Sequence, residues 1–189
     1  YDIENAVEAY TLLDNPDALG IVLNYPNQNQ EVLTKSKVEL TNKISEIIKP
    51  NTPCVGFIGA GNYASRTLIP AFKEAGAVLD TLVTSGGISG VHHGNKNQLV
   101  TASTNVEDLW GNDSINTVSI VTRHDAHAQQ VIDALNSGKN VFVEKPLALT
   151  LDELDEIDKS YHKANKSNTV RLMVGFNRRY APHVVKMKK

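Results

Sequence analysis

A short glycine-rich segment is the first part of this chain that could do chemistry. It runs Gly59-Ala60-Gly61-Asn62-Tyr63-Ala64 and fits the pattern G-x-G-x-x-G/A. Gly59 permits a tight turn, and Gly61 has no Cβ, so a pyrophosphate can approach the backbone. The free N–H groups of Asn62, Tyr63 and the helix that follows then face the phosphates. The pattern predicts a dinucleotide site. The alternative is a tight strand–helix turn that binds nothing.

A lysine at the end of a predicted strand is the second candidate. Lys145 follows the apolar run Asn140-Val141-Phe142-Val143, and ligands of open α/β sheets bind at the carboxyl ends of the strands. A lysine ammonium there can polarise a carbonyl or stabilise a developing alkoxide, and desolvation would let it relay a proton. The alternative is a solvated surface lysine.

The end of the second strand of such a fold normally reports the type of dinucleotide. A carboxylate there would bind the ribose 2′-hydroxyl of NAD, but Asp80 comes about four residues too early. Ser85 occupies the region instead and is predicted to hydrogen-bond a 2′-hydroxyl or a 2′-phosphate; a plain turn residue is the alternative. Both NAD and NADP stay open, and the missing carboxylate inclines the prediction to NADP.

The elements that must position these residues alternate along the chain. Strands are predicted at 54–58, 78–84, 99–102, 117–121, 140–143 and 171–176, with helices at 64–75, 126–137 and 151–164 and one or two helical turns at 106–110. Thr150 and Glu153 have the spacing of a capping box. Residues 85–98 hold three turn signals and are predicted as a loop. The alternation predicts an α/β fold with a doubly wound parallel sheet, the Rossmann fold.

Four regions follow from this pattern. Residues 1–26 form an N-terminal extension, with a helix over 3–13 and a strand over 20–25 closed by Pro26. Residues 27–53 are a predicted linker with a loose helical pattern. Residues 54–180 form the predicted dinucleotide-binding domain, and 181–189 begin a further region.

Composition excludes several classes of protein. The chain has 189 residues, of which 41% are hydrophobic and 21% charged, and its net charge is −2. These values exclude disorder and a disulfide scaffold and argue against nucleic acid or a membrane as partner. The single cysteine, Cys54, fits a reducing compartment such as the cytoplasm. One cysteine and scattered histidines predict no metal site.

Several strings in the predicted domain coincide with one family. They are 55–62, 121–127, 134–148, which contains Glu-Lys-Pro after a strand, and 174–180. Residues 54–180 thereby resemble the nucleotide-binding domain of the glucose–fructose oxidoreductase and inositol dehydrogenase family. The resemblance implies hydride exchange between a nicotinamide cofactor, NAD or NADP, and a hydroxyl of a sugar or cyclitol. A non-enzymatic NAD(P)-sensing module is the alternative.

The resemblance also implies roles for individual residues. Lys145 is the catalytic candidate near the reacting hydroxyl, Glu144 lies beside the nicotinamide, and Pro146 shapes the loop, often through a cis bond. The remaining cofactor contacts that it implies are Thr122, Arg123, His127, Asn177 and Arg178. A capping-type hydrogen bond is an equal alternative for His127, and His124 is expected to open a helix rather than to act in catalysis.

The same family places its substrate on a second domain, which we expect to be absent or truncated here. Its catalytic aspartate and histidine belong to that domain, so this chain is expected to bind cofactor without turnover. The family often forms dimers, which makes a homo-oligomer possible. Residues 1–26 carry a second resemblance, to the C-terminal tail of zinc-type medium-chain alcohol dehydrogenases. It implies that the whole protein is a fusion with such an enzyme.

Overall fold

The computed structural model describes residues 1–25, 35–40, 52–167 and 169–188 and divides them into two units, Tyr1–Lys35 and Ser36–Lys189. In the first unit, helix α1 (Ala6–Tyr10) is flanked by 3-10 turns at Ile3–Asn5 and Thr11–Asp14, which confirms the predicted helix. The strand predicted at 20–25 is wrong. Asn24 forms a single parallel bridge with Asp2, because the described part of this unit supplies no further extended segment to pair with.

A seven-stranded sheet forms the centre of the second unit. Its strands are β1 (Lys37–Glu39), β2 (Cys54–Ile58), β3 (Val78–Val83), β4 (Thr101–Ser103), β5 (Thr117–Ile120), β6 (Asn140–Val143) and β7 (Leu172–Val174). Their order is β1-β4-β3-β2-β5-β6-β7. Strands β2 to β7 are parallel, and β1 pairs antiparallel with β4 at one edge. This is the predicted doubly wound sheet, in which the chain reverses direction across the sheet between β2 and β5.

The helices of this unit lie between the strands along the chain, except for the last one, which follows β7. They are α2 (Ile69–Glu74), α3 (Gly87–Asn97), α4 (Glu107–Trp110), α5 (His127–Asn136), α6 (Leu151–Ser167) and α7 (Pro182–Met187). The predicted capping box of α6 is confirmed: Thr150 N–H donates to Glu153 Oε2 at 3.1 Å, and Glu153 N–H donates to Thr150 Oγ1 at 3.2 Å. The helices predicted at 126–137 and 151–164 are therefore present with small shifts at their ends.

Helix α2 continues a wider π-helical turn at Ala64–Leu68. Pro70 is the second residue of α2 and has no N–H to donate to the carbonyl of Arg66, with which its ring would also collide in a regular α-helix. Ile69 N–H instead bonds to Ala64 O, five residues back. The wider turn lets the helix continue through the proline, as π-bulges do elsewhere.

Helix α3 occupies the segment that was predicted as a loop, so that prediction is wrong. Gly87 is exposed at its start, but two further glycines lie on one buried face: a Cβ on Gly90 would come 2.7 Å from Thr84 Oγ1, and a Cβ on Gly94 would collide with the Leu40 side chain. They are spaced four residues apart, which is one turn of helix. Gly90 and Gly94 are therefore the residues that let this helix approach its neighbours closely, whereas Gly86 and Gly87 lie at its start.

Strand β1 corrects the predicted linker. Residues 37–39 form an edge strand rather than part of a helix, and Leu40 N–H adds a bond to Val100 O at 2.8 Å. The rest of the loose helical pattern, at 26–34 and 41–51, lies outside the described residues.

An aromatic contact holds one face of the sheet. Phe57, Ser119 and Phe142 lie side by side on β2, β5 and β6. The Phe72 ring makes edge-to-face contacts with Phe57 at 5.5 Å and Phe142 at 5.7 Å between centroids. The small Ser119 side chain leaves the gap between the two strand phenylalanines that Phe72 covers. Such aromatic pairs stabilise beyond the area that they bury.

We expect Phe72→Ala to lower the free energy of unfolding by about 3 kcal/mol, because it removes both ring contacts and leaves a cavity. Urea denaturation followed by circular dichroism measures the loss. Ile88→Ala, at a side chain that is 89% exposed, is the control and should change the value by less than about 0.5 kcal/mol. Equal losses of unfolding free energy in both variants would show that the Phe72 ring contacts do not stabilise the fold.

Candidate functional site

A cleft of about 400 Å³ opens at the carboxyl ends of β2, β5 and β6. Its lining contains eight of the predicted site residues, Gly61, Asn62, Tyr63, Thr122, His127, Glu144, Lys145 and Asn177, together with Ala64, Val121 and His124. It lies where the strand order reverses, which is the usual ligand position in this architecture. The structure therefore brings together side chains that are up to 116 positions apart in the sequence.

The two glycines of the turn do different things. Gly59 has a φ of +99°, and a Cβ there would lie 2.5 Å from the carbonyl oxygen of Val121. Its N–H donates to Val83 O at 2.8 Å. A Cβ on Gly61 would meet no atom within 4 Å. Gly59 thus allows the turn after β2 to pack closely against the Val121 carbonyl at the end of β5. Gly61 instead leaves open space above the backbone.

The helix start beside Gly61 is available to an anion. Ser65 donates both its N–H, at 2.9 Å, and its Oγ, at 3.0 Å, to Gly61 O, which closes the first turn. The N–H groups of a first turn have no partner within the helix, and the first turn of the π-helical segment carries no acidic side chain. Unpaired N–H groups and the positive end of the helix dipole favour a phosphate at this position.

Glu144 and Lys145 directly follow β6 and line the cleft together with the glycine turn. Glu144 N–H donates to Ile120 O at 3.0 Å, which extends the β5–β6 ladder. Its Oε1 is buried without a hydrogen-bond partner in the described part of the chain, and a Cβ on Gly175 would lie 2.6 Å from that atom. Leaving a buried acceptor unpaired costs stability, and such atoms are commonly found at functional sites.

The Lys145 side chain is exposed in the cleft. Within the described ranges, its ammonium makes no hydrogen bond or ion pair, so it is available to a ligand. The peptide bond between Lys145 and Pro146 is cis, as the resemblance implied. Pro146 itself does not line the cleft, but its carbonyl oxygen contacts His127.

His127 is completely buried at the start of α5. Its Nδ1 lies 2.7 Å from Pro146 O and its Nε2 lies 3.2 Å from Thr122 O. The ring of His124 packs against it at 5.6 Å between centroids and lines the cleft. His124 also begins the 3-10 turn at His124–Ala126, which confirms its predicted place at the helix opening. The sequence analysis missed that it also lines the cleft.

Asn177 closes the cleft from the C-terminal side. Its Nδ2 lies 3.5 Å from the Tyr63 hydroxyl, which links the glycine turn to the 3-10 turn at Asn177–Tyr180. Arg178 follows in the same turn, is exposed and lies outside the lining.

Two further predicted contacts lie away from the lining. The Arg123 side chain is 89% exposed and pairs with Asp125 at 3.2 Å. Ser85 is exposed just beyond β3. Asp80 lies within β3 and accepts hydrogen bonds from Thr81 Oγ1 and Asn112 Nδ2, which confirms that it is not available at the strand end. The cofactor roles proposed for Arg123, Ser85 and Arg178 stay predictions.

The Cys54 thiol lies outside the cleft and is unreactive. Burial, with a smaller contribution from the Asp80 carboxylate, raises the pKa of the Cys54 thiol to about 11, so this thiol stays protonated at neutral pH. Cys54 also begins β2, at the opposite end of the strand from the cleft. The described residues contain no group of three or more potential metal ligands. They also contain no helix long and apolar enough to cross a bilayer.

Fold and cleft together define a dinucleotide-binding α/β domain. The sequence model of a family described as an oxidoreductase family with an NAD-binding Rossmann fold matches residues 54–176. The chain belongs to this family, which confirms the resemblance stated for residues 54–180.

Curated relatives agree with this assignment. The chain is 33% identical over 135 residues to Oxidoreductase P35 of Formosa agariphila, covering 71% of this chain and 41% of that protein. It is also 33% identical over 137 residues to an inositol 2-dehydrogenase/D-chiro-inositol 3-dehydrogenase of Lactiplantibacillus plantarum, covering 71% and 37%. The chain thus spans about two-fifths of the length of these relatives.

Solved structures share the fold. A levoglucosan dehydrogenase in complex with NADH and levoglucosan superposes with a TM-score of 0.62 at 23% identity, covering 70% of this chain and 37% of that one. A 3-ketoreductase from Actinomadura kijaniata in complex with NADP gives 0.66 at 20% identity, covering 72% and 42%. The family match begins at residue 54 and gives no support to the resemblance of residues 1–26 to an alcohol dehydrogenase tail.

We expect Gly59→Ala to lower the free energy of unfolding by at least about 2 kcal/mol, since a side chain there is strained and meets Val121 O. Gly61→Ala, with open space above it, should lower it by less than about 1 kcal/mol. Urea denaturation of the two variants checks the difference. Similar losses of unfolding free energy in the two variants would contradict the conclusion that only Gly59 is needed for packing.

Proposed function

We propose that the chain is the cofactor-binding part of an oxidoreductase that transfers a hydride between NAD(P) and a hydroxyl of a sugar or cyclitol. One observation carries the proposal: the open space over Gly61 and the unpaired ammonium of Lys145 belong to the same cleft. The names of its relatives support the substrate class, since they include an inositol dehydrogenase and a 1,5-anhydro-D-fructose reductase.

The residues present fit such a cofactor. The open backbone at Gly61 and the first N–H groups of the helix would hold the pyrophosphate, and the Glu144 carboxylate, which lines the cleft, would accept a hydrogen bond from the nicotinamide amide. When bound, the nicotinamide accepts or donates the hydride.

Lys145 is proposed to serve the hydroxyl that reacts. In oxidation, the hydroxyl proton would pass to a base of the substrate site beyond the described residues, and the Lys145 ammonium would donate a hydrogen bond to the oxygen and stabilise its negative charge until the hydride leaves the carbon. In the reverse direction, the same group would polarise the carbonyl. Thr122, with its hydroxyl donated to Gln130 Oε1 at 2.7 Å, and Asn177 would complete the cofactor contacts along the cleft.

The finer choice of NADP rests on the end of β3. Ser85 and the following glycines replace the carboxylate that would bind a ribose 2′-hydroxyl. Helix α3 begins there without a side-chain cap or an acidic residue in its first turn, and this favours a 2′-phosphate.

The activity of the whole protein belongs to the proposal, because the chain spans about two-fifths of its relatives' length. The described cleft holds one catalytic candidate, Lys145. We therefore propose that this chain binds cofactor without turnover and that further residues contact the substrate. A cytoplasmic location and a homo-oligomer stay predictions.

Calorimetric titration of the chain with NADH and, separately, with NADPH should show saturable binding, with tighter binding of NADPH. Gly61→Val should weaken it by at least about a hundredfold, or about 2.7 kcal/mol, because the new side chain fills the space meant for the pyrophosphate. Gly20→Val is the matched control, since Gly20 also has open space around it but lies in the first unit. Full binding by Gly61→Val would overturn the proposed site.

Lys145→Ala separates an enzyme from a sensor. In a protein that contains the complete substrate site, we expect it to lower kcat by about 10²–10⁴-fold with little effect on cofactor affinity. Lys163→Ala, an exposed lysine of α6, is the control. A variant that keeps its turnover would rule out the catalytic role of Lys145, and a cofactor response without any turnover in the parent protein would favour the sensing module.

A further inference from the structure

The buried His127 ring has an arrangement that cofactor binding does not explain. Both of its nitrogens face backbone carbonyl oxygens, Pro146 O at 2.7 Å and Thr122 O at 3.2 Å. The side chain is 0% exposed. Neither ring nitrogen is therefore free to bind a molecule in the cleft.

The chemistry of these contacts identifies the donor. A carbonyl oxygen can only accept, so the imidazole must present an N–H to it. The contact at Nδ1 is the shorter of the two and lies at the short end of the range for N–H···O bonds. The shorter distance assigns the tautomer with the proton on Nδ1, so that Nδ1–H donates to Pro146 O while the unprotonated Nε2 contacts Thr122 O at 3.2 Å without a hydrogen bond.

The place of this bond in the chain gives it importance. Before the turn, Glu144 N–H is held by Ile120 O, and after it Leu149 N–H is held by Glu153 Oε2. Between them, residues 145–148 have one backbone hydrogen bond to other parts of the described structure, from His127 to Pro146 O. The turn that carries Lys145 is otherwise fixed only by its covalent ends and the apolar contacts of Leu147 and Ala148.

We propose that His127 is a positioning residue for Lys145. Its ring ties the turn after β6 to the turn after β5 and so determines where the Lys145 ammonium stands in the cleft. The role of Lys145 in catalysis rests on the proposed function, but the positioning itself is a property of the chain without any ligand. In this proposal, the positioning role of His127 replaces the direct cofactor contact that was predicted for it.

The first test uses the 189-residue chain without ligand. Nitrogen-15 relaxation should give order parameters of about 0.85 for the Lys145 and Leu147 amides, falling below about 0.6 in His127→Phe, which keeps the ring volume and loses both nitrogens. His127→Asn, whose amide nitrogen can still donate, should restore rigidity. His124→Phe is the matched control, because this neighbouring ring makes no bond to the turn.

The wild-type chain tests the donor directly, whether or not His127→Phe folds. A long-range proton–nitrogen correlation spectrum should show a proton on His127 Nδ1, with the signals assigned by their loss in His127→Asn. An unprotonated Nδ1 would overturn the proposal. So would a rigid turn in a folded His127→Phe, or a loss of order spread over the whole chain.

The second test separates this proposal from the proposed function. Calorimetry should show NADH affinity within about twofold of wild type in both His127→Phe and His127→Asn, because the turn positions Lys145, whose own loss is expected to have little effect on cofactor affinity. ADP-ribose, which lacks the nicotinamide, should bind both variants within about twofold of wild type. An equal loss of affinity for NADH and for ADP-ribose would show that His127 only stabilises the fold. Absence of any binding in the wild type would refute the proposed function, while the relaxation result would still decide the positioning role.

Discussion

The close approach of the Gly59 backbone to the Val121 carbonyl is the constraint on which the rest of this structure depends. It occurs where β2 and β5 lie side by side and the connections leave the sheet in opposite directions. Any side chain at Gly59 would push the two strand ends apart. Because they stay together, the helix after β2 starts directly above the sheet, with its unpaired N–H groups beside the open backbone of Gly61. The cleft is a consequence of this packing.

The polar groups around the cleft show which parts are built for stability and which for binding. Thr122 Oγ1 and both nitrogens of His127 are engaged with other atoms of the chain. Glu144 Oε1 is buried without a partner among the described residues, whereas the Lys145 ammonium is exposed and makes no hydrogen bond or ion pair within them. A buried polar atom without a partner lowers the stability of the fold, and such atoms are commonly found at functional sites. The unsatisfied groups are the ones that we assign to cofactor and substrate.

The sheet beneath the cleft provides the rigidity that these groups need. Phe72 spans Ser119 to reach Phe57 and Phe142, so one helix holds three neighbouring strands whose carboxyl ends form the cleft. Sites built on packed strands keep their geometry better than sites on loops alone. The turn after β6 is the exception, since it leaves the sheet before it reaches Lys145. It is also the turn that His127 holds.

The sequence by itself determined the elements whose signals are local. Strands β2, β5 and β6, the capping box at Thr150 and the glycine turn follow from apolar periodicity, side-chain capping and backbone freedom, which neighbouring residues express. It also predicted most of the residues that line the cleft, through strings that resemble a family. Tertiary structure alone decided the rest. Gly90 and Gly94 resembled turn residues because a sequence does not show which helix needs close contact with a neighbour, and residues 37–39 became a strand only because β4 offered an edge. Likewise, the Pro146 carbonyl that accepts from His127 and the Thr122 carbonyl that its other nitrogen contacts come from turns that are far apart in the chain, and only the folded sheet places them on either side of one ring.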